Sequence, residues 1–252
     1  MATYVVIGDT HARPGFHNKR AEWLGRLILD IKPEVVVNIG DGIDFESLCS
    51  YDRGTKAFEG RTYKADIDSH LDFQDRLWST VKKQKKALPR TVYCVGNHCN
   101  RVNKAISTQR ELDGLIGLKD LELDRWYDDT VPYNGTTPGV IALDGIAFAH
   151  YLISGTKGQA IAGENHARTL ILKGLSSCVV GHSHTRDFHT RTNVLGKKMC
   201  AVVVGCYFDH EPDYAGNANQ LWWRGITILR NVEDGYFDPQ FISLESIKKE
   251  YS

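Results

Sequence analysis

The strongest constraint on the fold of this 252-residue chain is a series of short apolar runs that each end in glycine and a polar residue. Such runs are typical of strands buried on both faces of a sheet. Apolar positions at helical spacing separate the first three runs, so strands and helices alternate here. This alternation requires parallel crossover connections, and we expect an α/β fold. The predicted strands are residues 3–8, 34–39 and 91–96, and the predicted helices are residues 18–31 and 65–88.

The second half of the chain predicts antiparallel pairing as well. Asp144-Gly145 and Leu195-Gly196 each stand between two apolar runs, which favours a hairpin at both places. No internal repeat or low-complexity linker separates the halves, so we expect a single domain over residues 1–252. Within it, residues 45–88 are expected to form a loop-plus-helix elaboration near the active site. The predicted elements are hairpins over residues 140–150 and 187–205, a helix over 163–173, and strands over 177–181 and 225–230.

Composition narrows the class of protein. Basic and acidic residues both number 31, and the resulting zero net charge disfavours a protein whose main task is coating long nucleic acid. Six scattered cysteines without a CxxC pair predict free thiols in a reducing compartment. The N-terminus is unlike a signal peptide, and no apolar run approaches the roughly 20 residues of a membrane span. We therefore expect a cytoplasmic protein without membrane association, and its oligomeric state stays open.

Side chains that can bind metals follow almost every predicted strand. In open parallel sheets, ligands bind beyond the carboxyl ends of the strands, so these side chains are expected to meet. Carboxylates, an amide and imidazoles, without thiolates, suit divalent Mn, Fe, Zn, Co or Ni and disfavour a closed structural zinc site. Seven of these side chains would already be more ligands than one catalytic ion needs. Two ions about 3.5–4 Å apart are usual for phosphate ester hydrolysis. The residues are Asp9, His11, Asp41, Asn97, His98, His150, His182 and His184.

In chain order these residues form a recognisable set of motifs. The order resembles the calcineurin-like metallophosphoesterase superfamily, and residues 51–61 and 221–225 resemble members encoded by bacteriophages and prophages. The resemblance implies an α/β/β/α sandwich, in which two packed mixed β-sheets are flanked by helices. The motifs are Gly8-Asp9-Thr10-His11, Gly40-Asp41, Gly96-Asn97-His98, the single His150, and Gly181-His182-Ser183-His184.

The resemblance also implies a role for each residue. Asp9, His11 and His184 would bind one ion, and Asp41 would bridge it to a second. His98 would not be a ligand but would stabilise the transition state or protonate the leaving oxygen. The implied reaction is in-line attack on phosphorus by a hydroxide bridging two divalent ions, with Mn²⁺ expected and Fe, Zn, Ni and Co as alternatives. The remaining ligands of the second ion would be Asn97, His150 and His182.

Two motifs depart from the family pattern. The family often has arginine directly after the aspartate that corresponds to Asp44, and here Arg53 or Arg61 in the following loop could reach the phosphate instead. Cys99 stands where the family often has a carboxylate that orients the catalytic histidine, and Asp44 or Asp128 could substitute for it. Further candidate substrate-binding residues are His166, Arg168 and Arg186, each of which could instead be a surface residue.

These residues predict a metal-dependent phosphodiesterase, either a nuclease or a cyclic phosphodiesterase, acting on a nucleotide or short nucleic acid. A phosphomonoesterase or dinucleoside polyphosphate hydrolase is the second hypothesis. A catalytically silent metal-binding scaffold is the third, and the presence of His98 counts against it. A nuclease should have a basic channel leading to the metals, whereas a hydrolase of small esters should have a closed cleft.

Overall fold

The computed structural model describes residues 1–83, 87–156 and 158–252. Helices α1 to α5 are Lys19–Ile31, Tyr63–Lys82, Arg101–Thr108, His166–Gly174 and Leu244–Tyr251. Strands β1 to β8 are Ala2–Ile7, Val35–Asn38, Arg90–Cys94, Asp129–Val131, Tyr133–Asn134, Thr137–Pro138, Ile141–Leu143 and Ile146–Phe148. Strands β9 to β15 are Ile153–Ser154, Gln159–Ala160, Ser177–Val180, Arg186–Thr192, Lys198–Val204, Gly225–Glu233 and Tyr236–Ser243.

Two mixed sheets form the centre of the molecule. The first has the strand order β15-β14-β1-β2-β3-β4, in which β1 to β4 pair in parallel and β14 pairs antiparallel with both β1 and β15. The second has the order β12-β13-β11-β8-β7, with parallel pairing of β11 to both neighbours and a hairpin at each edge. The hairpins predicted around Gly145 and Gly196 are therefore present.

The alternating side chains of the first sheet divide the core into layers. Val5 and Ile7 point to one face, where helices α1, α2 and α5 cover the sheet. Val6 points to the opposite face and packs against Phe148 and Val202 of the second sheet. Helix α4 covers the outer face of that second sheet. The order of layers is thus helix, sheet, sheet, helix, and the predicted α/β/β/α sandwich is confirmed.

Most predicted elements are present with small changes at their ends, but one helix is shorter than predicted. The helix predicted over residues 65–88 ends at Lys82, and its residues 84–86 lie outside the described residues. Leu88 is not helical, since Pro89 disfavours helical geometry at the residue before it. Residues 45–62 contain only the short 3₁₀ segments Glu46–Leu48 and Lys56–Phe58.

Two further observations bear on expectations from composition. All six cysteines are buried and form no disulfide. In residues 1–83, 87–156 and 158–252, no helix is long and apolar enough to cross a membrane.

A buried arginine joins helix α1 to the loop that follows β1. The guanidinium of Arg20 is fully buried and donates hydrogen bonds to the carbonyl oxygens of Thr10, His17 and Tyr207 at 3.0, 2.9 and 3.2 Å. Its Nη1 lies 3.6 Å from Asp209 Oδ1, and the guanidinium stacks over the Phe73 ring. Because Thr10 lies between Asp9 and His11, this guanidinium holds the first metal-binding motif against the segment after β13.

Replacing this arginine should destabilise the fold. In Arg20→Met two buried carbonyl groups and the partly buried carbonyl of His17 lose their donor, so we expect the free energy of unfolding to fall by about 3 kcal/mol. Denaturant unfolding would measure the change. Arg26→Met is the matched control on the exposed side of the same helix and should cost less than about 1 kcal/mol. Equal effects of the two substitutions would contradict the assigned role.

Candidate metal centre and active site

The predicted metal-binding residues meet at one edge of the sandwich, where parallel strands from both sheets end. Asp9 and His11 follow β1, Asp41 follows β2, and Asn97 and His98 follow β3. From the second sheet, His150 follows β8, and His182 and His184 follow β11. The turns there are tight, because His11, Asp41, His182 and His184 all have positive φ angles. The interface between the two sheets therefore brings together residues that are up to 175 positions apart.

Asp9, His11 and His184 form the first cluster. Their ligand atoms lie within 4.8 Å of one another, and all three side chains are buried. Nε2 of His184 lies 2.9 Å from Asp9 Oδ2, and Nε2 of His11 lies 3.9 Å from the same oxygen. Two imidazole nitrogens thus converge on one carboxylate oxygen, an arrangement that could hold a divalent ion.

Asp41, His150 and His182 form the second cluster, again with ligand atoms within 4.8 Å of one another. Nε2 of His150 lies 3.1 Å from Asp41 Oδ2 and 2.9 Å from Asn97 Oδ1. Asp41 also groups with His11 and His98 at the same distance limit, so its carboxylate lies between the two clusters. This is the position expected for a bridging ligand.

The hydrogen bonds of two imidazoles fit a metal centre. Nδ1 of His150 lies 3.0 Å from the Ile39 carbonyl oxygen, and only a protonated Nδ1 can donate to a carbonyl. Nδ1 of His11 lies 3.3 Å from Asp44 Oδ1, and its buried Nε2 has no hydrogen-bond partner among the described residues. Histidine ligands of metals usually donate through the other ring nitrogen in this way. The residues present therefore fit divalent ions.

Glycines in the motifs allow the carboxylates to approach the backbone. A Cβ added to Gly181 would lie 2.5 Å from Asp9 Oδ1, and one added to Gly96 would collide with Asp41 Oδ1. The same two carboxylates accept hydrogen bonds from the backbone N–H groups of His182 at 3.2 Å and His98 at 2.7 Å. Glycine is therefore required before both histidines because any side chain would displace a carboxylate.

Opposite charges dominate the electrostatics of the metal-free centre. Burial raises the pKa of Asp9 and Asp41, but the charge of His150 and hydrogen bonds from neighbouring imidazoles hold both pKa values well below the usual range. Burial lowers the pKa of His11, yet its hydrogen bond to Asp44 and the nearby carboxylate of Asp9 raise this pKa to about 10. Burial also lowers the pKa of His150, but the charges of Asp41 and Asp9 raise this pKa to about 9.

The other two imidazoles behave differently, because burial dominates. It lowers the pKa of His182 to about 4, with a further contribution from His150. Burial also lowers the pKa of His184. At neutral pH the raised pKa values favour protonated His11 and His150, whereas the lowered values favour neutral His182 and His184.

His98 lies beside the clusters and is oriented by Asp44. Its Nδ1 is 2.8 Å from Asp44 Oδ1, which leaves Nε2 facing away from this carboxylate. Burial raises the pKa of Asp44, but hydrogen bonds with His11 and His98 hold it well below the usual range. Asp44 thus provides His98 with a carboxylate partner, although the residue directly after His98 is Cys99. Asp128, the other residue considered for this role, accepts instead from Thr91.

Cys99 is unsuited to nucleophilic chemistry. It is fully buried, and its sulfur lies 3.2 Å from the Tyr93 hydroxyl, which also accepts the Gly42 N–H at 3.0 Å. Burial and the charge of Asp41 raise the pKa of the thiol to about 11. The side chain is therefore a protonated thiol at neutral pH, and it packs beneath the loop that carries Asp41.

The predicted substrate-binding residues lie in four different surroundings. Arg53 is exposed and lines a depression with Phe58 and Gln109, apart from His98. His166 is buried, with Nδ1 3.2 Å from the Ser183 hydroxyl between two predicted ligands. Arg168 is exposed on α4. The guanidinium of Arg186 stacks over Trp223 and Phe241, 5.2 Å from each ring centroid.

A cavity of about 330 Å³ opens beside His98, and we refer to it as the His98 cavity. The loop after β2 and the start of α3 form its wall. The sequence indicates Asp44, Arg61 and His98 and predicts that the elaboration beginning at residue 45 lies near the active site, but it does not identify Arg101. The one signal was the spacing of three residues between His98 and Arg101, which puts both on one face of a helical turn. The cavity is lined by Asp44, Glu46, Cys49, Tyr51, Asp52, Arg61, His98 and Arg101.

A family model and several solved structures are similar to this chain. The family model described as calcineurin-like phosphoesterase matches residues 2–194. One similar structure is a conserved uncharacterized protein of Streptococcus pneumoniae TIGR4, a predicted phosphoesterase, with 14% identity, TM-score 0.38, and coverage of 97% of this chain and 90% of that one. Another is Yfce, a phosphoesterase from E. coli, with 12% identity, TM-score 0.42, and coverage of 96% and 99%.

No curated protein matches the chain. The family match nevertheless spans the first three predicted strands and all eight residues of the candidate motifs, from Asp9 to His184. The buried clusters of histidine and aspartate are able to bind the metal on which this family depends. The chain therefore belongs to the calcineurin-like phosphoesterase family and is a metal-dependent hydrolase of phosphoester bonds.

Proposed function

We propose that the protein is a phosphodiesterase with two divalent ions, and that its substrate is a nucleotide-sized diester. The observation that supports a diester is the charge of the His98 cavity, which is lined by three carboxylates and two guanidinium groups. A phosphomonoester carries a second negative charge at neutral pH, and a site for it needs additional cations near the phosphorus. A diester carries one negative charge and tolerates these carboxylates better.

The arginines near this cavity are largely neutralised by carboxylates. Arg61 lies 2.6 Å from Asp52 and 3.6 Å from Glu46. Arg13 lies 2.6 Å from the same glutamate. Ion pairs of this kind reduce the positive potential that a dianionic phosphate or a long nucleic acid would require. This balance favours a small diester, such as a cyclic nucleotide or a dinucleotide, over cleavage of long nucleic acid.

The proposed ligands follow the two clusters. Asp9, His11 and His184 would hold one ion, Asn97, His150 and His182 the other, and Asp41 both. When bound, the ions would lower the pKa of a water molecule and neutralise charge on the phosphoryl oxygens. Nitrogen and oxygen ligands without thiolate suit Mn²⁺, which we propose, as well as Fe, Zn, Ni and Co.

The chain itself would orient the reacting groups. The backbone N–H of His98 binds Asp41, and its ring is fixed by Asp44, so Nε2 is the atom available to the substrate. Asp44 also holds His11, and it therefore couples the position of His98 to the first cluster. In this proposal His98 stabilises charge on the phosphoryl group or supplies a proton to the leaving oxygen.

Model esters would test the proposed specificity. With Mn²⁺ added to the metal-stripped protein, we expect bis-p-nitrophenyl phosphate to be cleaved with a higher kcat/KM than p-nitrophenyl phosphate. The metal-stripped protein without Mn²⁺ is the control and should be inactive. A preference for the monoester would overturn the diester proposal in favour of a phosphomonoesterase.

His98→Ala separates catalysis from metal binding. Because His98 is not a proposed ligand, we expect the variant to keep its metal content while kcat falls by about 10²- to 10⁴-fold. Elemental analysis and steady-state kinetics would measure the two quantities. His17→Ala, at an exposed histidine, is the control and should change neither. Loss of metal from His98→Ala would contradict the assigned role.

Metal binding should release protons. The pKa values of His11 and His150 are about 10 and about 9, so both imidazoles are protonated at pH 7 without metal. Coordination requires the neutral form, and we expect release of about two protons at pH 7 and an affinity that rises with pH up to these values. Calorimetric titration in buffers of different ionisation enthalpy would count the protons. A count of zero at pH 7 would contradict this assignment.

A further inference from the structure

Arg101 has an unusual position beside the proposed catalytic histidine. It begins α3, and its side chain is 20% exposed where it lines the His98 cavity. Nη1 donates to the carbonyl oxygens of Asp44 at 2.8 Å and Phe45 at 3.3 Å. Nη2 lies 3.4 Å from His98 Nε2. One nitrogen of the guanidinium is thus anchored to the backbone, and the other faces the reactive edge of the histidine.

We propose that Arg101 is a catalytic residue that donates a hydrogen bond to the oxygen of the leaving alcohol, and that the His98 cavity binds this alcohol. The inference rests on the proposed phosphodiesterase function and extends it to the leaving group. The sequence motifs did not assign a role to Arg101. They indicated Arg53 or Arg61 as the arginine that could reach the phosphate.

The geometry supports a shared oxygen acceptor. Two nitrogens 3.4 Å apart can both lie within about 2.9 Å of one oxygen atom placed between them and the cavity. The anchored Nη1 fixes the guanidinium, so little side-chain entropy remains to be lost when the oxygen develops charge. Arg61, the other arginine of the cavity, differs because its guanidinium is turned to Asp52 and Glu46.

The wall of the cavity indicates the chemistry of the alcohol. Glu46 and Asp52 offer carboxylate oxygens that can accept from hydroxyl groups, and they would repel a second phosphate. Cys49 and the ring of Tyr51, which is 89% exposed, provide apolar surface at the rim. A volume of about 330 Å³ suits a small ligand. The class that fits is a neutral alcohol of nucleoside size, with free hydroxyl groups and a planar ring.

The reaction step is balanced without any further reagent. The oxygen of water bonds to phosphorus, and the bond between phosphorus and the alcohol oxygen breaks. The electron pair of that bond stays on the alcohol oxygen, where Arg101 stabilises the developing negative charge. The proton that the alcohol gains is balanced by the one that the water loses.

The test compares two diesters that differ only in the leaving group, methyl p-nitrophenyl phosphate and methyl phenyl phosphate. Phenolate is the more basic leaving group and depends more on a donor at the departing oxygen. For Arg101→Met with metals bound, we expect kcat on the phenyl ester to fall by about 10²-fold, and on the nitrophenyl ester by less than about tenfold. Arg101→Lys should recover part of the loss on the phenyl ester.

Arg61→Met is the matched control, because Arg61 lines the same cavity without contacting His98. It should affect both esters by the same factor. Equal loss on both esters in Arg101→Met and Arg101→Lys, or no loss in either, would overturn the role of Arg101 alone. Absence of metal-dependent diester hydrolysis by the wild-type protein would overturn the proposed function and this inference with it.

Discussion

The rest of the site depends on the contacts of the Asp41 carboxylate. It lies between two clusters of buried imidazoles, and a buried carboxylate without opposite charge would be strongly unfavourable. His150 and the backbone N–H of His98 satisfy its two oxygens. The glycine two residues before His98 leaves the space that this contact needs. Asp41 therefore links residues that follow strands of both sheets, namely His150 and the backbone of His98.

Charge is balanced around this centre by pairing rather than by exposure to solvent. Asp44 binds His11 on one side and His98 on the other, so it belongs to both the metal centre and the proposed catalytic group. The guanidinium groups of Arg13 and Arg61 form ion pairs with carboxylates, and one nitrogen of Arg101 donates to carbonyl oxygens. Arg101 differs, because one of its nitrogens faces His98. In our proposal this nitrogen marks the side of the site from which the alcohol leaves.

The sequence predicted the architecture well because its signals are local. Apolar runs identified the central strands, and Asp144-Gly145 and Leu195-Gly196 identified two hairpins of the second sheet. Strand β4, Asp129–Val131, was not predicted, since three residues with two polar side chains give no clear period. Helix α2 ends at Lys82, earlier than its apolar pattern suggested. Leu88, directly before Pro89, is not helical, as expected for a residue that precedes proline.

What the sequence determined by itself was the identity and order of the candidate metal ligands, because each closely follows a strand and parallel strands end at a common edge. Only the tertiary structure decided which residues line the His98 cavity. The loop after β2 has no periodicity, so nothing local indicates that Glu46 and Asp52 neutralise Arg61 or which of Asp44 and Asp128 lies beside His98. Those pairings depend on how the loop packs against α3, which is a property of the whole fold.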